Sequence, residues 1–244
     1  MTFPLPNTVS DINTKIRKLI GSPSGTQITD PQINAYINTF YYYDMPEHLQ
    51  TFNLRTVYEF YTEPDIDSYT FPRNSIRNLS QPCYIAGYQS FYTQDRDQFY
   101  RLYPQLQYIE QVSTGTGING PYTIQLTQFP MIRGFTWQTN NQLESQVLIN
   151  GIDTANNGVI ARDNGTGGWV DQNGNALPGT INYVTGVATV TFGSPVAIGS
   201  IINAQYIPVQ PARPLCCLFY GDMIFLRPIP DQVYKVQFNA YVFP

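Results

Sequence analysis

The first forty residues carry apolar side chains at helical spacing. Thr8 or Ser10 can cap a first helix, and Gly21 stands where a left-handed C-terminal cap belongs. Asp30 and Pro31 are an N-cap and a first helical residue for a second helix. The pattern therefore predicts a short helical hairpin in which each helix can bury one apolar stripe. The two stripes consist of Val9, Ile12, Ile16, Leu19 and Ile20, and of Ile33, Tyr36, Ile37 and Phe40.

Beyond Leu54 the apolar period changes from helical spacing to two. Tyr and Phe alternate with polar residues in "TVYEFYTEPDIDSYTF", and the same alternation recurs near the end of the sequence in "VYKVQFNAYVF". Strict alternation of this kind is typical of half-buried antiparallel strands. Residues 215–226 predict a hairpin around Gly221 and Asp222, and "SFYTQDRDQFYRLYP" predicts one more short helix.

The amino-acid composition changes in the middle of the chain. Residues 105–212 contain 14 of the 18 glycines, all five Asn-Gly dipeptides and only two cations, Arg133 and Arg162. Asn-Gly between alternating runs predicts hairpin turns, because both residues tolerate a positive φ. Strands are expected at "YTIQL", "GFTWQT", "QVLIN", "GVIAR", "TINYV", "VATVTF" and "SIINAQYI", each closed by a turn.

These patterns predict a mainly β fold with two domains. The N-terminal helical pair and an antiparallel sheet or sandwich form a host domain, residues 1–110 and 208–244. Residues 111–207 form an all-β domain inserted into it, a sandwich or barrel-like module.

Composition narrows the function classes. Charged residues make up 12% of the chain, about half the usual share, whereas Tyr occurs 19 times. A net charge of −4 without a basic stripe argues against direct nucleic-acid binding. The first residues do not read as a secretory signal, and no apolar run approaches the roughly 18 residues of a membrane span. We therefore expect a soluble protein that is made in a cytoplasm.

The three cysteines fit neither a metal motif nor a disulfide framework. Cys83 stands alone and Cys216 is adjacent to Cys217, so no CxxC spacing occurs and the count is odd. We expect buried thiols in a reducing compartment.

Candidate catalytic residues are few. His48 is the single histidine, and neither a GxSxG elbow nor an HExxH helix accompanies it. Acidic residues cluster twice, and such a pair could in principle serve a glycosidase, although acidic residues beside a strand-end proline are usually a solvated turn. We therefore predict that the chain is not an enzyme and uses no cofactor. The clusters are Glu63, Asp65 and Asp67, and Asp95 and Asp97.

One stretch of the middle region partly matches a calcium-binding loop. Asp171, Asn173 and Asn175 occupy the first, third and fifth positions of an EF-hand-like loop. Ala176 and Asn182, however, replace the glycine and the bidentate glutamate that such a loop needs. These residues predict a turn, and no metal site is predicted.

Aromatic residues are the candidate interface residues. Tyr41, Tyr42 and Tyr43 follow the second predicted helix and point in successive directions, so some must be exposed. Aromatic side chains dominate interface energetics. Trp137 and Trp169 could stack on sugar rings, although strand-rich proteins also place Trp in their cores.

Several stretches resemble virion proteins of tailed bacteriophages. The segment "ARDNGTGGWVDQNGNALPGTINYVTGVATVTFGSPVAIGSIINAQY" resembles a β module of tail, baseplate and neck proteins. The ending "FLRPIPDQVYKVQFNAYVFP" is similar to the closing strands of head-to-tail connector and tail-tube-type proteins, and "IRKLIGSPSGTQITDPQINAYINTFYY" looks like the leading helices of neck adaptors. The β module is matched by Asp163, Gly165, Gly167, Gly179, Ile181, Asn182, Tyr183, Thr185, Gly186, Val190, Phe192, Ala204 and Tyr206.

The resemblance implies a structural subunit of the virion. It would repeat as a homo-oligomeric ring, dodecameric in the neck, around the channel through which DNA passes as cargo. Its partners would be portal, neck or tail proteins, with no membrane involved, and it would be synthesised in the host cytoplasm. The alternative is a tail or baseplate protein that binds host-surface glycans, and a third possibility is a glycan-cleaving tail enzyme.

Overall fold

The computed structural model describes residues 8–21, 27–44 and 54–243. His48 and the loop around it lie outside these ranges. The helices are α1 (Val9–Leu19), α2 (Asp30–Thr39) and α3 (Arg96–Leu102), with a π-helix (Phe40–Asp44) directly after α2. Strands outnumber helices, which confirms the mainly β chain with an N-terminal helical pair.

Eighteen strands lie in the described part of the chain. They are β1 (Arg55–Tyr61), β2 (Ser68–Thr70), β3 (Ile76–Ile85), β4 (Tyr88–Thr93), β5 (Tyr108–Thr114), β6 (Tyr122–Gln125), β7 (Phe135–Thr136), β8 (Leu143–Glu144), β9 (Leu148–Ile152), β10 (Gly158–Asp163), β11 (Trp169–Val170), β12 (Ala176–Leu177), β13 (Gly179–Ile181), β14 (Val187–Val190), β15 (Ile201–Tyr206), β16 (Cys216–Tyr220), β17 (Met223–Arg227) and β18 (Lys235–Val242).

Local signals account for the helix ends. The Thr8 hydroxyl accepts a hydrogen bond from the backbone N–H of Asp11 at 3.2 Å, so Thr8 caps α1. Gly21 has a φ of +70°, as a left-handed C-terminal residue requires. The N-cap of α2 is Thr29 and not the predicted Asp30; Thr29 donates its N–H to the Gln32 side chain at 2.9 Å.

Seven strands from the two ends of the chain form one sheet. Their order is β1-β18-β3-β4-β16-β17-β2. The predicted hairpin β16–β17 is confirmed, with Cys216 opposite Arg227. One pair departs from the antiparallel prediction, since β16 runs parallel to β4, with Cys216 opposite Phe91. The chain leaves the sheet after β4 and returns only at β16, and so long a connection permits parallel pairing.

The middle of the chain forms two further sheets and a short ribbon. The six-stranded sheet has the order β12-β11-β10-β9-β15-β5, the three-stranded sheet β13-β14-β6, and the ribbon is β7-β8. The first two sheets share one apolar core, to which alternate residues of β10, β14 and β15 contribute. This is how strands with period-two patterning bury one face.

The Asn-Gly turns predicted at Asn164 and Asn173 are confirmed as hairpin turns, whereas Gly151 and Gly158 lie in strands. Gly165 and Gly174 have positive φ angles of 79° and 88° in loops that follow β10 and β11. Gly151, by contrast, lies inside β9 between β10 and β15. A Cβ added to Gly151 would come within 3.3 Å of the Val196 side chain, so the close packing of the core explains the glycine there.

A buried carboxylate joins the loops of this region. Asp163 has no exposed surface, and four groups donate hydrogen bonds to it. They are the backbone N–H groups of Gly134 (2.5 Å), Gln146 (2.8 Å) and Val147 (2.9 Å) and the hydroxyl of Tyr183 (3.2 Å). Burial raises the pKa of Asp163, and the donated hydrogen bonds oppose that shift. Asp163 and Tyr183 of the phage-like motif therefore have a structural role.

The chain consists of two compact units. One contains residues 1–56, 74–78 and 240–244, and the other contains residues 57–73 and 79–239. Within the larger unit, Phe135 and Trp137 pack against Phe225 of β17. The strands from β5 to β15 come from the predicted insertion and its immediate N-terminal flank, since β5 begins at Tyr108. The division into host and inserted domains stays a prediction.

Candidate interaction surfaces

Polar contacts hold the helical pair together. The Asn13 amide donates to the Asn34 side chain at 3.0 Å, and Arg17 forms an ion pair with Asp30 at 2.6 Å. Asn13 is buried, and the only apolar side chain of the pair that is fully buried among the described residues is Ile33. The seam between α1 and α2 therefore uses few of the predicted apolar residues.

The unused apolar residues face outward, which corrects the expectation that each helix buries its stripe. Leu19 is 78% exposed and Tyr36 is 73% exposed. We call this set the helical-pair surface. It consists of Val9, Ile12, Leu19, Ile20, Tyr36 and Phe40. Clusters of exposed apolar side chains mark sites of interaction.

Two of the candidate tyrosines extend this surface. Tyr41 and Tyr42 lie in the π-helix, 43% and 47% exposed, with their rings edge to face at 5.6 Å. Arg77 donates to the backbone carbonyl of Tyr42 at 3.1 Å. The side chain of Tyr43 lies outside the described part of the structure. Tyr41 and Tyr42 thus offer accessible ring surface, and their role in an interface stays a prediction.

Trp137 lies at a groove in the larger unit. Its ring packs edge to face on Phe135 (4.9 Å) and Tyr220 (6.0 Å), and its Nε1 donates to Glu144 at 3.3 Å. A Cβ at Gly221 would come within 2.8 Å of the Trp137 ring, so that turn requires glycine. The groove has a volume of about 390 Å³. We call it the Trp137 groove, and it is lined by Arg96, Trp137, Thr139, Asn140, Gln142, Glu144, Tyr220 and Gly221.

The lining of the Trp137 groove suits a hydroxyl-rich ligand. Two aromatic rings, two side-chain amides, a carboxylate and a guanidinium converge there. Such groups stack on apolar faces and exchange hydrogen bonds with hydroxyl groups. Among them, sequence reasoning had named Trp137 alone. Arg96 on α3 and Tyr220 on β16 reach the groove only through the tertiary fold, and no local pattern marks them.

Trp169 occupies the core. It is 1% exposed, and its Nε1 donates to the backbone carbonyl of Thr189 at 2.8 Å. The ring therefore has no surface to offer to a sugar or a partner in this fold.

Two of the acidic candidates, Asp67 and Asp95, have structural partners. Asp67 is buried in an ion pair with Arg227 at 2.6 Å. Asp95 caps α3, because its carboxylate accepts from the N–H groups of Asp97 (2.9 Å) and Gln98 (3.2 Å). Glu63 is exposed. The arrangement gives Asp67 and Asp95 the roles of ion-pair partner and helix cap.

The EF-hand-like stretch forms a turn, as predicted, and Asp171 organises it. Its Oδ1 accepts from the N–H groups of Asn173 and Asn175 at 2.8 Å, and its Oδ2 accepts from the Asn175 amide at 2.9 Å. These bonds, led by the one from the Asn175 side chain, lower the pKa of Asp171. The carboxylate oxygens are thus used within the hairpin between β11 and β12.

The cysteines are buried free thiols, as expected. Burial raises the pKa of Cys216 to about 11, which keeps this thiol protonated at neutral pH. Among the residues that the structure describes, no three His, Cys, Asp or Glu side chains are grouped so as to hold a metal ion. Within the same ranges, no helix has the length and apolar character needed to cross a membrane.

Comparison of the chain with protein-family models, with curated proteins and with solved structures found no match in any of the three. The surfaces described above, together with the sequence resemblance, are therefore the basis for assigning a function.

Proposed function

We propose that this chain is a non-catalytic structural subunit of a tailed-bacteriophage particle. It forms a homo-oligomeric ring at the neck and connects the portal or head to the tail, around the channel for DNA. The sequence resemblance supplies the particle class.

The helical-pair surface is the observation that carries the proposal. Its apolar side chains stay outside although the helices could have buried them against each other. A polar seam built by Asn13 and Arg17 replaces that packing. Exposed apolar stripes on a short helical pair favour helix-in-groove docking to a neighbouring protein. Tyr41 and Tyr42 supply aromatic anchors at the end of the same pair.

Edge strands support assembly as well. β1 is an outer strand of the seven-stranded sheet, and its Val57 and Tyr61 are exposed. An exposed edge with apolar side chains is an aggregation hazard in a free monomer. In a ring, the same edge becomes a contact between subunits.

Two measurements test the proposal. Cryo-EM of intact particles that encode this chain should locate it in a ring between the portal and the tail. The double variant Leu19→Asp/Tyr36→Asp should yield filled heads and separate tails, because charges on the helical-pair surface prevent docking. The double variant Val184→Asp/Val187→Asp is the matched control, since both valines are exposed and belong neither to the helical-pair surface nor to β1, and it should leave head-to-tail joining unaffected.

Two outcomes would refute the neck assignment. One is density for the chain at the tail tip or baseplate. The other is normal joining of tails by the Leu19→Asp/Tyr36→Asp variant when the purified variant melts at the wild-type temperature.

The Trp137 groove favours a second candidate function, the binding of a host-surface glycan by a tail or baseplate protein. Trp137 and Tyr220 present aromatic surface beside Glu144 and two amides. Isothermal titration calorimetry with oligosaccharides tests this function. Glycan binding should disappear in Trp137→Phe/Glu144→Ala and persist in Tyr88→Ala, which removes an exposed tyrosine outside the groove. Absence of binding by the wild-type chain across a glycan panel would exclude it.

A further inference from the structure

Four exposed isoleucines meet at one end of the six-stranded sheet. We call them the isoleucine tip: Ile118, Ile152, Ile198 and Ile201. Ile198 is 84% exposed. Their loops are tied together, because Val196 donates its N–H to the Ile118 carbonyl at 3.0 Å and Ala197 donates to the Ile152 carbonyl at 2.9 Å. The isoleucine tip therefore presents a preformed apolar surface.

The chemistry of the isoleucine tip favours an apolar protein partner. The three segments that form it, residues 115–119, 151–154 and 196–201, contain no Lys or Arg. Binding to nucleic acid or to an anionic membrane surface would need such cations. The one charged residue in these segments is Asp153, and its carboxylate accepts from the N–H groups of Ala155 (2.9 Å) and Asn157 (2.7 Å) in its own turn.

The same sheet carries an apolar cavity at its other end. Its volume is about 230 Å³, and a dry cavity of about 150 Å³ already holds a benzene molecule. A branched aliphatic side chain therefore fits. Ile132, Ile207 and Ile229 form one buried cluster in its wall. We call it the junction socket, and its lining also includes Leu102, Tyr103, Pro104, Gln105, Pro208, Val209, Gln210, Arg227 and Pro228.

The junction socket holds no uncompensated charge. Its single ionic group, Arg227, is buried, and its Nη1 donates to Asp67 at 2.6 Å and to the Leu226 carbonyl at 2.9 Å. With the guanidinium neutralised by Asp67, an apolar side chain is a better occupant than an anion.

Strand geometry places the tip and the socket at opposite ends of one strand pair. β15 begins at Ile201 in the tip and ends at Tyr206, next to Ile207 in the socket. β5 runs antiparallel to it, with Thr114 opposite Ile201 and Tyr108 opposite Tyr206. At about 3.3 Å per residue, the two sites lie roughly 20 Å apart. A pair of different patches at opposite ends produces heterologous contacts, which close into a ring or continue as a fibre.

We propose that the isoleucine tip of one copy seats in the junction socket of a second copy of this chain, so that subunits associate head to tail. The inference rests on the proposed ring, because it names the contact between neighbouring subunits. In this contact, the Ile198 side chain of one subunit inserts beside Leu102 of the next.

The test measures self-association of the purified full-length chain by sedimentation velocity. Wild type should form oligomers larger than dimers as concentration rises. Ile198→Asp in the tip and Leu102→Asp at the rim of the socket should each weaken association by at least about 30-fold, the effect of losing one hot-spot residue. Both side chains are exposed, so melting temperatures should stay near that of wild type. Val184→Asp, at an exposed valine outside both patches, is the matched control and should associate normally.

Mixing the two variants gives the decisive measurement. Ile198→Asp retains a working socket and Leu102→Asp retains a working tip, so the mixture should form dimers and nothing larger. Dimers of Leu102→Asp alone would show a two-fold contact between tips and would overturn the proposal. It would also be overturned by a wild-type chain that stays monomeric at every concentration, or by wild-type association of Ile198→Asp.

Failure of this contact and failure of the neck assignment give different results. Head-to-tail oligomers in solution, combined with density for the chain elsewhere in the virion, would retain the contact and reject the neck. A ring located at the neck whose subunits associate normally after Ile198→Asp would retain the neck assignment and reject the contact.

Discussion

Replacement of Asp163 by Asn tests how the loops of the middle region are held. Four donors converge on the two carboxylate oxygens of Asp163, at 2.5 to 3.2 Å. An Asn side chain has one oxygen, and its NH₂ group would face two of these donors. The Tyr183 hydroxyl can rotate and accept a hydrogen bond from that NH₂ group, but the Gly134 N–H cannot, so this buried donor loses its acceptor.

The structure gives the size of the effect. Each buried donor left without an acceptor costs about 1–3 kcal/mol. Part of the loss is offset, because a neutral amide does not carry the charge whose burial is unfavourable and raises the pKa of Asp163. We therefore expect Asp163→Asn to lower the free energy of unfolding by about 2 kcal/mol, a few times the effect of an ordinary surface substitution.

Urea unfolding at neutral pH, followed by tryptophan fluorescence, measures the change, since Trp169 lies in the same core. Asp171→Asn is the matched control. It makes the same chemical change in an exposed turn, where one oxygen already accepts both backbone N–H groups, and it should cost less than about 1 kcal/mol. A loss at Asp163 no larger than the loss at Asp171 would show that the buried carboxylate does not organise these loops.

Three further predictions concern the turn, the ion pair and the module. The pKa of Asp171 is lowered in the fold, so the stability that its hydrogen bonds contribute should be fully present above the ordinary Asp pKa and should be lost as the pH falls through the lowered pKa. An NMR titration of Asp171 should show a midpoint below the ordinary Asp pKa, and Asn175→Ala should raise that midpoint. Arg227→Met should destabilise the fold by about 3–5 kcal/mol, because it leaves the Asp67 carboxylate buried without its partner. In urea unfolding, the double variant Asp67→Leu/Arg227→Met should recover most of that loss. Equal losses of stability in the single and the double variant would argue against a charge effect. Residues 111–207 expressed alone should show a β spectrum and cooperative melting, and a spectrum without either would count against the predicted boundary.

Local sequence signals determined most of the secondary structure. Thr8 marks a helix start through its side-chain cap, and Gly21 and Pro31 mark helix ends through their backbone preferences. These effects act within a few residues. Strict alternation places β18 correctly, with inward residues buried and outward ones half-buried. These signals act over the length of one element, so they can be recognised without knowing the rest of the fold.

The candidate sites depended on contacts between distant segments. Trp137 and Trp169 have similar strand-like surroundings in the sequence, yet one borders a groove and the other fills the core. Asn150-Gly151 has the composition of a turn, but strands on both sides keep it extended. The α1 stripe predicted a buried face, and only the seam between the helices shows that Asn13 is buried in its place.

The isoleucine tip and the junction socket also depend on the tertiary structure and not on local sequence signals. Ile118, Ile152 and Ile198 are far apart in the chain, and each alone is an ordinary apolar residue beside a turn. They meet because β5, β9 and β15 pair in one sheet whose register brings their ends together. Patterning determines which residues of a strand share a face, whereas strand order and register determine which strand ends become neighbours, and these depend on free energies summed over the whole core.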